Sequence, residues 1–272
     1  MTEREQYVLG YRRAEQERLQ RQAIELAPES TWLLHQVDLA AGAHVVDIGC
    51  GPHGCLELLA GRVGPAGRVV GVERNEDAVA LARQHVADRG LRNVEVRCGD
   101  ARSTGLPRAA FDLATARLVL VNVPEPQQIV AEAVALVRPG GWVAFHEADY
   151  VGHVCDPPLE AWTALVDLLV RYSREHGIDP FVGRRTPRLL REAGLADVQV
   201  NPVIHTYPPD NPRRYILLEF AENLSERVLA ERMVGEGELT ELKAALKRHL
   251  DSPDTLVVSH IFFQAWGRKL GV

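Results

Sequence analysis

Short apolar runs at residues 44–48, 68–72, 94–98, 111–116 and 141–146 alternate with segments at 54–63, 76–89 and 126–137 whose apolar positions recur at helical spacing. Runs of that length are strands, and the longer periodic stretches are helices. Strands that alternate with helices pair in parallel, and the right-handed sense of each crossover distributes the helices over both faces. The pattern therefore predicts an α/β fold with a doubly wound, mostly parallel sheet.

The flanks carry a different pattern. Residues 7–26 are dense in Glu, Gln and Arg, with an apolar stripe at Leu19, Ala23, Ile24 and Ala27 that Pro28 stops, and residues 30–39 read as a second helix. Downstream, 159–175 is an apolar-rich helix, and 183–194 is another, with Pro187 near its start and Gly194 as its stop. Residues 197–205 alternate as a strand does, 207–212 form a proline-rich linker, 213–250 supply two or three helices, and 255–266 read as one last strand. Neither an internal repeat nor a second core is visible. The domain reading is a helical cap over residues 1–40 and a main domain over 41–272, with a helical lid inserted at about 207–251.

Charge narrows the function classes. Lysine plus arginine number 31 and aspartate plus glutamate 37, a formal charge of −6. A broad nucleic-acid surface needs clustered positive charge, so DNA and RNA are not expected as partners. Residues 1–6 are charged, without the apolar centre of a signal peptide, and no apolar run approaches the roughly eighteen residues of a membrane span. The expectation is a cytoplasmic protein. Cys50, Cys55, Cys98 and Cys155 form neither a C-x-x-C pair nor paired doublets of zinc type, so reduced, mostly buried thiols and no metal site are expected.

The chain is organised around Val45-Val46-Asp47-Ile48-Gly49-Cys50-Gly51-Pro52-His53-Gly54: a strand ending in an acid, a glycine turn, and a helix start. Glycine lets the backbone turn and lets a ligand approach bare peptide at Gly49 and Gly51. A dinucleotide site would lay a pyrophosphate on such a turn. Asp47 would repel it, yet would accept a hydrogen bond from the ammonium of an amino acid. The turn therefore points to S-adenosyl-L-methionine. A second strand ends in Gly71-Val72-Glu73, suited to both ribose hydroxyls, with Arg74 beside it. A third leads to Gly99-Asp100-Ala101, suited to the adenine amino group. Asp47, Glu73, Asp100 and Arg117 all fall at the carboxyl ends of strands, where such sheets bind ligands. The Arg117 main chain is expected to line the methionine pocket.

With Phe111-Asp112-Leu113-Ala114 and Leu136-Val137-Arg138-Pro139-Gly140-Gly141, these motifs make the chain resemble the class I S-adenosylmethionine-dependent methyltransferases. Within them it is most similar to the small-molecule branch of ubiquinone, menaquinone and bacterial natural-product methyltransferases. The resemblance implies a Rossmann-like seven-stranded sheet with an antiparallel last strand at its edge. It also implies methyl transfer to oxygen, nitrogen or carbon of a small molecule, with S-adenosyl-L-homocysteine as product. A comparable N-terminal segment covers the cofactor cleft in relatives, so one of Tyr7 and Tyr11, four apart on one face, with Tyr7 the candidate for the cofactor, is expected to cover the methionine end or to touch substrate. Two other readings stand beside methyl transfer: cyclisation or decarboxylation with the same cofactor, and a non-catalytic cofactor-binding protein. The apolar faces of the N-terminal helices leave a homo-oligomer open.

His53 and Asn122 depart from the family pattern, which has glycine in the turn and often histidine after the fourth strand. His53 reads either as a solvent-facing loop residue or as a neighbour of the cofactor's carboxylate. After the fifth strand comes the densest titratable run, Phe145-His146-Glu147-Ala148-Asp149-Tyr150-Val151-Gly152-His153. It reads either as a polar loop or as the place where Glu147 or His153 binds substrate or removes a proton. The pair Arg184-Arg185 reads either as surface ion pairs or as a holder of an acidic group on the substrate.

Overall fold

The computed structural model describes residues 13–150 and 152–271. Its strands are β1 (His44–Ile48), β2 (Arg68–Glu73), β3 (Val94–Cys98), β4 (Phe111–Arg117), β5 (Val137–Asp149), β6 (Val154–Asp156), β7 (Leu195–Val203), β8 (Leu256–Val258) and β9 (Ile261–Lys269). Its helices are α1 (Arg13–Glu25), α2 (Ala27–Gln36), α3 (Leu56–Val63), α4 (Glu76–Asp88), α5 (Pro126–Leu136), α6 (Glu160–Glu175), α7 (Val182–Glu192), α8 (Ile216–Ala230) and α9 (Glu236–Asp251). The candidates for the methionine end or substrate, Tyr7 and Tyr11, lie outside the described residues.

Seven strands form one sheet in the order β3-β2-β1-β4-β5-β9-β7, with β9 antiparallel to both neighbours and the other recorded pairings parallel. The doubly wound, mostly parallel sheet is the one that the apolar pattern predicts. Val45, Val46 and Ile48 are fully buried because β1 is central and covered on both faces. Strand order reverses between β1 and β4, which puts the crevice of an open α/β sheet at their carboxyl ends.

Three details differ from the reading of the sequence. The last strand is not at the edge: β9 sits between β5 and β7, and β7 takes the edge. The fifth strand runs from Val137 rather than residue 141, with its register shifted between Phe111 and Leu113 of β4. Gly141 makes this passage possible, since a Cβ there would come within 3.0 Å of the Arg138 and Asp112 carbonyl oxygens. Residues 255–266 are two strands. The Ser259 N–H donates to the His205 carbonyl at 2.8 Å and the His205 N–H donates to Ser259 Oγ at 3.0 Å, which pulls the chain out of the ladder between β8 and β9. β8 then pairs with β6 as a separate two-stranded sheet.

Helices α1, α6 and α8 lie over the carboxyl edge of the sheet, and residues of each line the cavity beneath. The segment read as a linker is built in: Tyr207 is buried, and the buried Arg214 guanidinium donates to the carbonyls of Leu250, Tyr207, Ser252 and Thr255 at 2.6, 3.0, 2.7 and 2.7 Å. One side chain thus fixes both ends of the α8–α9 pair to the chain that enters β8.

Candidate functional site

A cavity of about 850 Å³ runs along the carboxyl ends of the strands, a size ordinary for a site that encloses a cofactor and a second ligand. Asp47, Gly49, Gly51, Glu73, Arg74, Asp100, Ala101 and Arg117 all line it. Residues from four separated stretches of chain therefore meet in one space.

The turn after β1 is shaped by Asp47. Its Oδ2 accepts the Cys55 N–H at 3.0 Å, at the start of α3, while the carboxyl is buried. Burial pushes the acid up to about 6, against the Cys55 hydrogen bond and the nearby Arg117, which hold it down. Gly54 allows this packing: its φ is +49°, and a Cβ there would meet the Cys50 carbonyl at 2.3 Å and Asp47 Oδ2 at 2.8 Å. The Arg117 guanidinium donates to Ser30 Oγ at 3.0 Å and the Gly54 carbonyl at 3.1 Å, tying α2 to the turn. The Arg117 side chain thus shapes the turn, a role that the sequence reading did not assign to it.

Glu73 ends β2 and faces the same turn. Its Oε2 accepts the Gly51 N–H at 3.1 Å and its Oε1 the Asn75 N–H at 2.9 Å. A carboxylate oxygen has two acceptor sites, so each retains one for a hydroxyl. Asn75 caps α4 by accepting the Ala78 N–H at 2.8 Å, which leaves Glu73 free of that task. Asp100 is engaged by Arg102, whose N–H and Nη2 donate at 2.8 and 3.0 Å, and that partner holds its carboxyl below the ordinary range. His53 borders the cavity with its ring 4.4 Å from that of His85, and burial lowers its basicity.

The two candidates for proton removal lie outside the cavity lining. Glu147 is fully buried, and its carboxylate accepts the N–H groups of Val119, Leu120 and Val121 at 3.0, 3.1 and 3.2 Å. It caps the 3₁₀ turn Leu120–Asn122, and burial pushes it up to about 8 against those three donors. That loop supplies Leu118, Val119, Val121 and Asn122 to the cavity wall. Asn122 itself donates to the Leu118 carbonyl at 2.7 Å. His153 packs its ring 5.8 Å from Trp162 and 5.0 Å from His260, with Nε2 sealed away from solvent. Burial lowers it to about 4.

Beyond Asp47, Glu73 and Asp100, the wall is aromatic: Tyr150, Tyr172, Phe220 and His260, with Ile178 beside them in the lining and Arg18 over the Phe220 ring at 5.4 Å. Sequence reasoning missed His260 because 255–266 read as one strand. The signal was the polar Ser259-His260 pair set between Leu256-Val257-Val258 and Ile261-Phe262-Phe263. Arg184 and Arg185 pair with Asp149 and Asp179, as surface ion pairs should, although Asp149 is itself buried. All four cysteines are free, and three are buried. Among the described residues, no group of acids, histidines and cysteines is arranged to hold a metal, and no helix is long and apolar enough to cross a membrane.

Residues 46–145 match the family described as Methyltransferase domain. Among curated proteins, the chain is similar to an uncharacterized 37.1 kDa protein in transposon TN4556 of Streptomyces fradiae, 34% identical over 180 residues, 64% of this chain and 50% of that one. It is also similar to nocamycin O-methyltransferase of Saccharothrix syringae, 35% identical over 135 residues, 50% of this chain and 46% of that one. The chain spans about half the length of these relatives. In fold it is similar to phosphoethanolamine N-methyltransferase 2 of Haemonchus contortus, solved with phosphomonomethylethanolamine and S-adenosylhomocysteine, with a TM-score of 0.58 and 17% identity over 90% of this chain and 53% of that one.

Proposed function

We propose, from the match of residues 46–145 to the family described as Methyltransferase domain, that the protein transfers a methyl group from S-adenosyl-L-methionine to a small-molecule acceptor. The observation that carries this reading is the pairing of Asp47 and Glu73 on opposite sides of one glycine turn. A buried acid raised to about 6 is stabilised when an ammonium arrives beside it, so Asp47 fits the amino group of the donor's amino-acid tail. Glu73 has an acceptor site on each oxygen for the ribose hydroxyls, and Asp100 and Ala101 lie at the next strand end, where the adenine would rest. Two carboxylates on one turn, Asp47 and Glu73, suit a cationic ligand and repel a pyrophosphate.

When bound there, the sulfonium supplies an already activated methyl group. The chain's own task is to hold the acceptor in line and exclude water. Positioning of that kind is worth roughly 7–11 kcal/mol, so a dedicated base is not a requirement. Cover from α1, α6 and α8 supports water exclusion. Four free thiols fit a reducing, cytoplasmic setting. Ile24, 76% exposed on α1, supports self-association, which light scattering tests.

The function is tested by calorimetry with S-adenosylhomocysteine, followed by a mass screen of candidate acceptors for the increment of one methyl group. Saturable binding and a methylated product are expected. Absence of binding overturns the reading, and a product of unchanged mass replaces methyl transfer with rearrangement chemistry.

A further inference from the structure

The cavity has two halves. Asp47, Glu73 and Asp100 wall the first, at the ends of β1, β2 and β3; Tyr150, Tyr172, Ile178, Phe220 and His260 wall the second. Resting on the methyl-transfer reading above, we propose that the second half is the acceptor subsite, that it takes a flat, conjugated acceptor bearing an enol or phenol hydroxyl, and that this hydroxyl is seated on His260 Nε2, with His153 orienting His260 from behind.

Topology sets the place. His260 immediately precedes β9, whose Ile261 pairs with Asp149 at the end of β5, so it stands across β4 and β5 from Asp47, Glu73 and Asp100. Shape sets the ligand class. The Tyr150 ring lies 5.7 Å from His260 at 83° and 6.2 Å from Phe220, giving ring faces and edges that a planar conjugated molecule fills. Arg18 over Phe220 puts positive charge at this wall. It favours an oxygen that gains negative charge and disfavours a protonated amine.

Nitrogen accounting sets the role of the histidines. His260 is 3% exposed and its Nδ1 is sealed without a hydrogen-bond partner, which leaves Nε2 as the ring nitrogen that borders the cavity. His153 Nε2 is sealed in the same way, on a ring 5.0 Å from that of His260 and tilted by 47°. Two orphaned nitrogens on adjoining rings are costly apart. In the proposed arrangement the two nitrogens pair when ligand binds, as catalytic hydrogen bonds commonly tighten on binding. With Nδ1–H of His260 donated to His153, the His260 lone pair is fixed on Nε2. Burial, with His153, Arg213, His205 and His146 nearby, holds His260 far below its ordinary pKa and hence neutral. Neutral, it offers the Nε2 lone pair to the hydroxyl and takes its proton as the oxygen gains the methyl group, a transfer easier from an enol or phenol than from an aliphatic alcohol, whose proton is far less acidic.

The step balances. The acceptor oxygen forms a bond to the methyl carbon as the carbon–sulfur bond breaks, the freed electron pair stays on the now neutral sulfur, and the hydroxyl proton passes to His260 Nε2 and then to solvent.

The test uses the full chain loaded with S-adenosylhomocysteine and four bicyclic probes in calorimetry at neutral pH: 1-naphthol, 2-naphthol, 1-naphthylmethylamine and decahydro-1-naphthol. The two naphthols should bind at least tenfold more tightly than the protonated amine and the saturated alcohol. His260→Phe should erase that preference while leaving S-adenosylhomocysteine affinity intact, and His260→Gln serves where the Phe variant does not bind it. With a deuteromethyl donor, label should appear on the 1-naphthol oxygen, about 100-fold more slowly in His260→Phe. His153→Phe keeps the ring packing but should lower kcat about tenfold at unchanged KM. Equal binding of all four probes, binding of none by the loaded protein, or an unaffected His260→Phe variant overturns the acceptor assignment. Failure of the wild type to bind S-adenosylhomocysteine overturns the methyl-transfer reading beneath it as well.

Discussion

The Gly51 N–H donates to Glu73 Oε2 at 3.1 Å, so the acid that ends β2 holds the glycine turn that follows β1. One carboxylate thereby shapes the turn and faces the cavity. Glu73→Ala should weaken S-adenosylhomocysteine binding at least tenfold, the scale of losing one or two hydrogen bonds to a charged group. Glu73→Gln, which keeps one carbonyl acceptor, should fall between. Calorimetry on the three proteins checks the order, and equal affinities would remove Glu73 from the site.

Asp47 makes binding depend on pH in a definite direction. Its folded value of about 6 lies above the ordinary 3.8, so its contribution to folding stability is complete below about 3.8 and is lost as pH rises through about 6. Binding runs the other way, since the ligand's ammonium needs the ionised acid. Affinity for S-adenosylhomocysteine should rise about tenfold per pH unit up to about 6 and then level off. Asp47→Asn should bind more weakly and lack this step. A wild-type profile flat from pH 5 to 7 would contradict the assignment.

Gly54 allows no side chain. Its φ of +49° is costly for alanine, and the Cβ would strike the Cys50 carbonyl and Asp47 Oδ2. Gly54→Ala should lower stability by roughly 1–3 kcal/mol in urea unfolding and sharply reduce S-adenosylhomocysteine affinity. Gly61 has an ordinary helical setting in α3 and open space where a Cβ would stand, so it should accept alanine with no loss.

Glu147 supports the loop that carries Val119 and Val121 into the cavity wall. Glu147→Ala strands three buried N–H groups and should cost about 2–4 kcal/mol of stability. Because the folded carboxyl is raised to about 8, above its ordinary 4.5, its contribution to stability is complete below about 4.5 and is lost as pH rises through about 8. Urea midpoints of wild type and Glu147→Ala across that range check both statements. A fully stable variant without activity would return Glu147 to proton transfer.

The acidic half of the cavity was legible because its residues are tied to strand ends: Asp47, Glu73 and Asp100 each close an apolar run, and topology alone carries such positions to one edge. The aromatic half was not legible. His260, Tyr150, Tyr172 and Phe220 come from a strand break, a loop and two helices, and only tertiary packing brings them together. Glu147 and His153 drew notice as titratable residues in a polar run, but no local pattern tells a side chain that faces a cavity from one turned into the backbone behind it. The edge position expected for the last strand failed for a related reason, since β7 pairs with β9 by long-range contacts that spacing does not encode.

A crystal structure of the full chain with S-adenosylhomocysteine decides whether this cavity is the donor site. The ribose hydroxyls should lie on Glu73, the amino group beside Asp47, and the sulfur should point toward the half of the cavity walled by Tyr150 and His260. A ligand bound elsewhere, or one lying in the cavity with Glu73 and Asp47 untouched, would contradict that assignment.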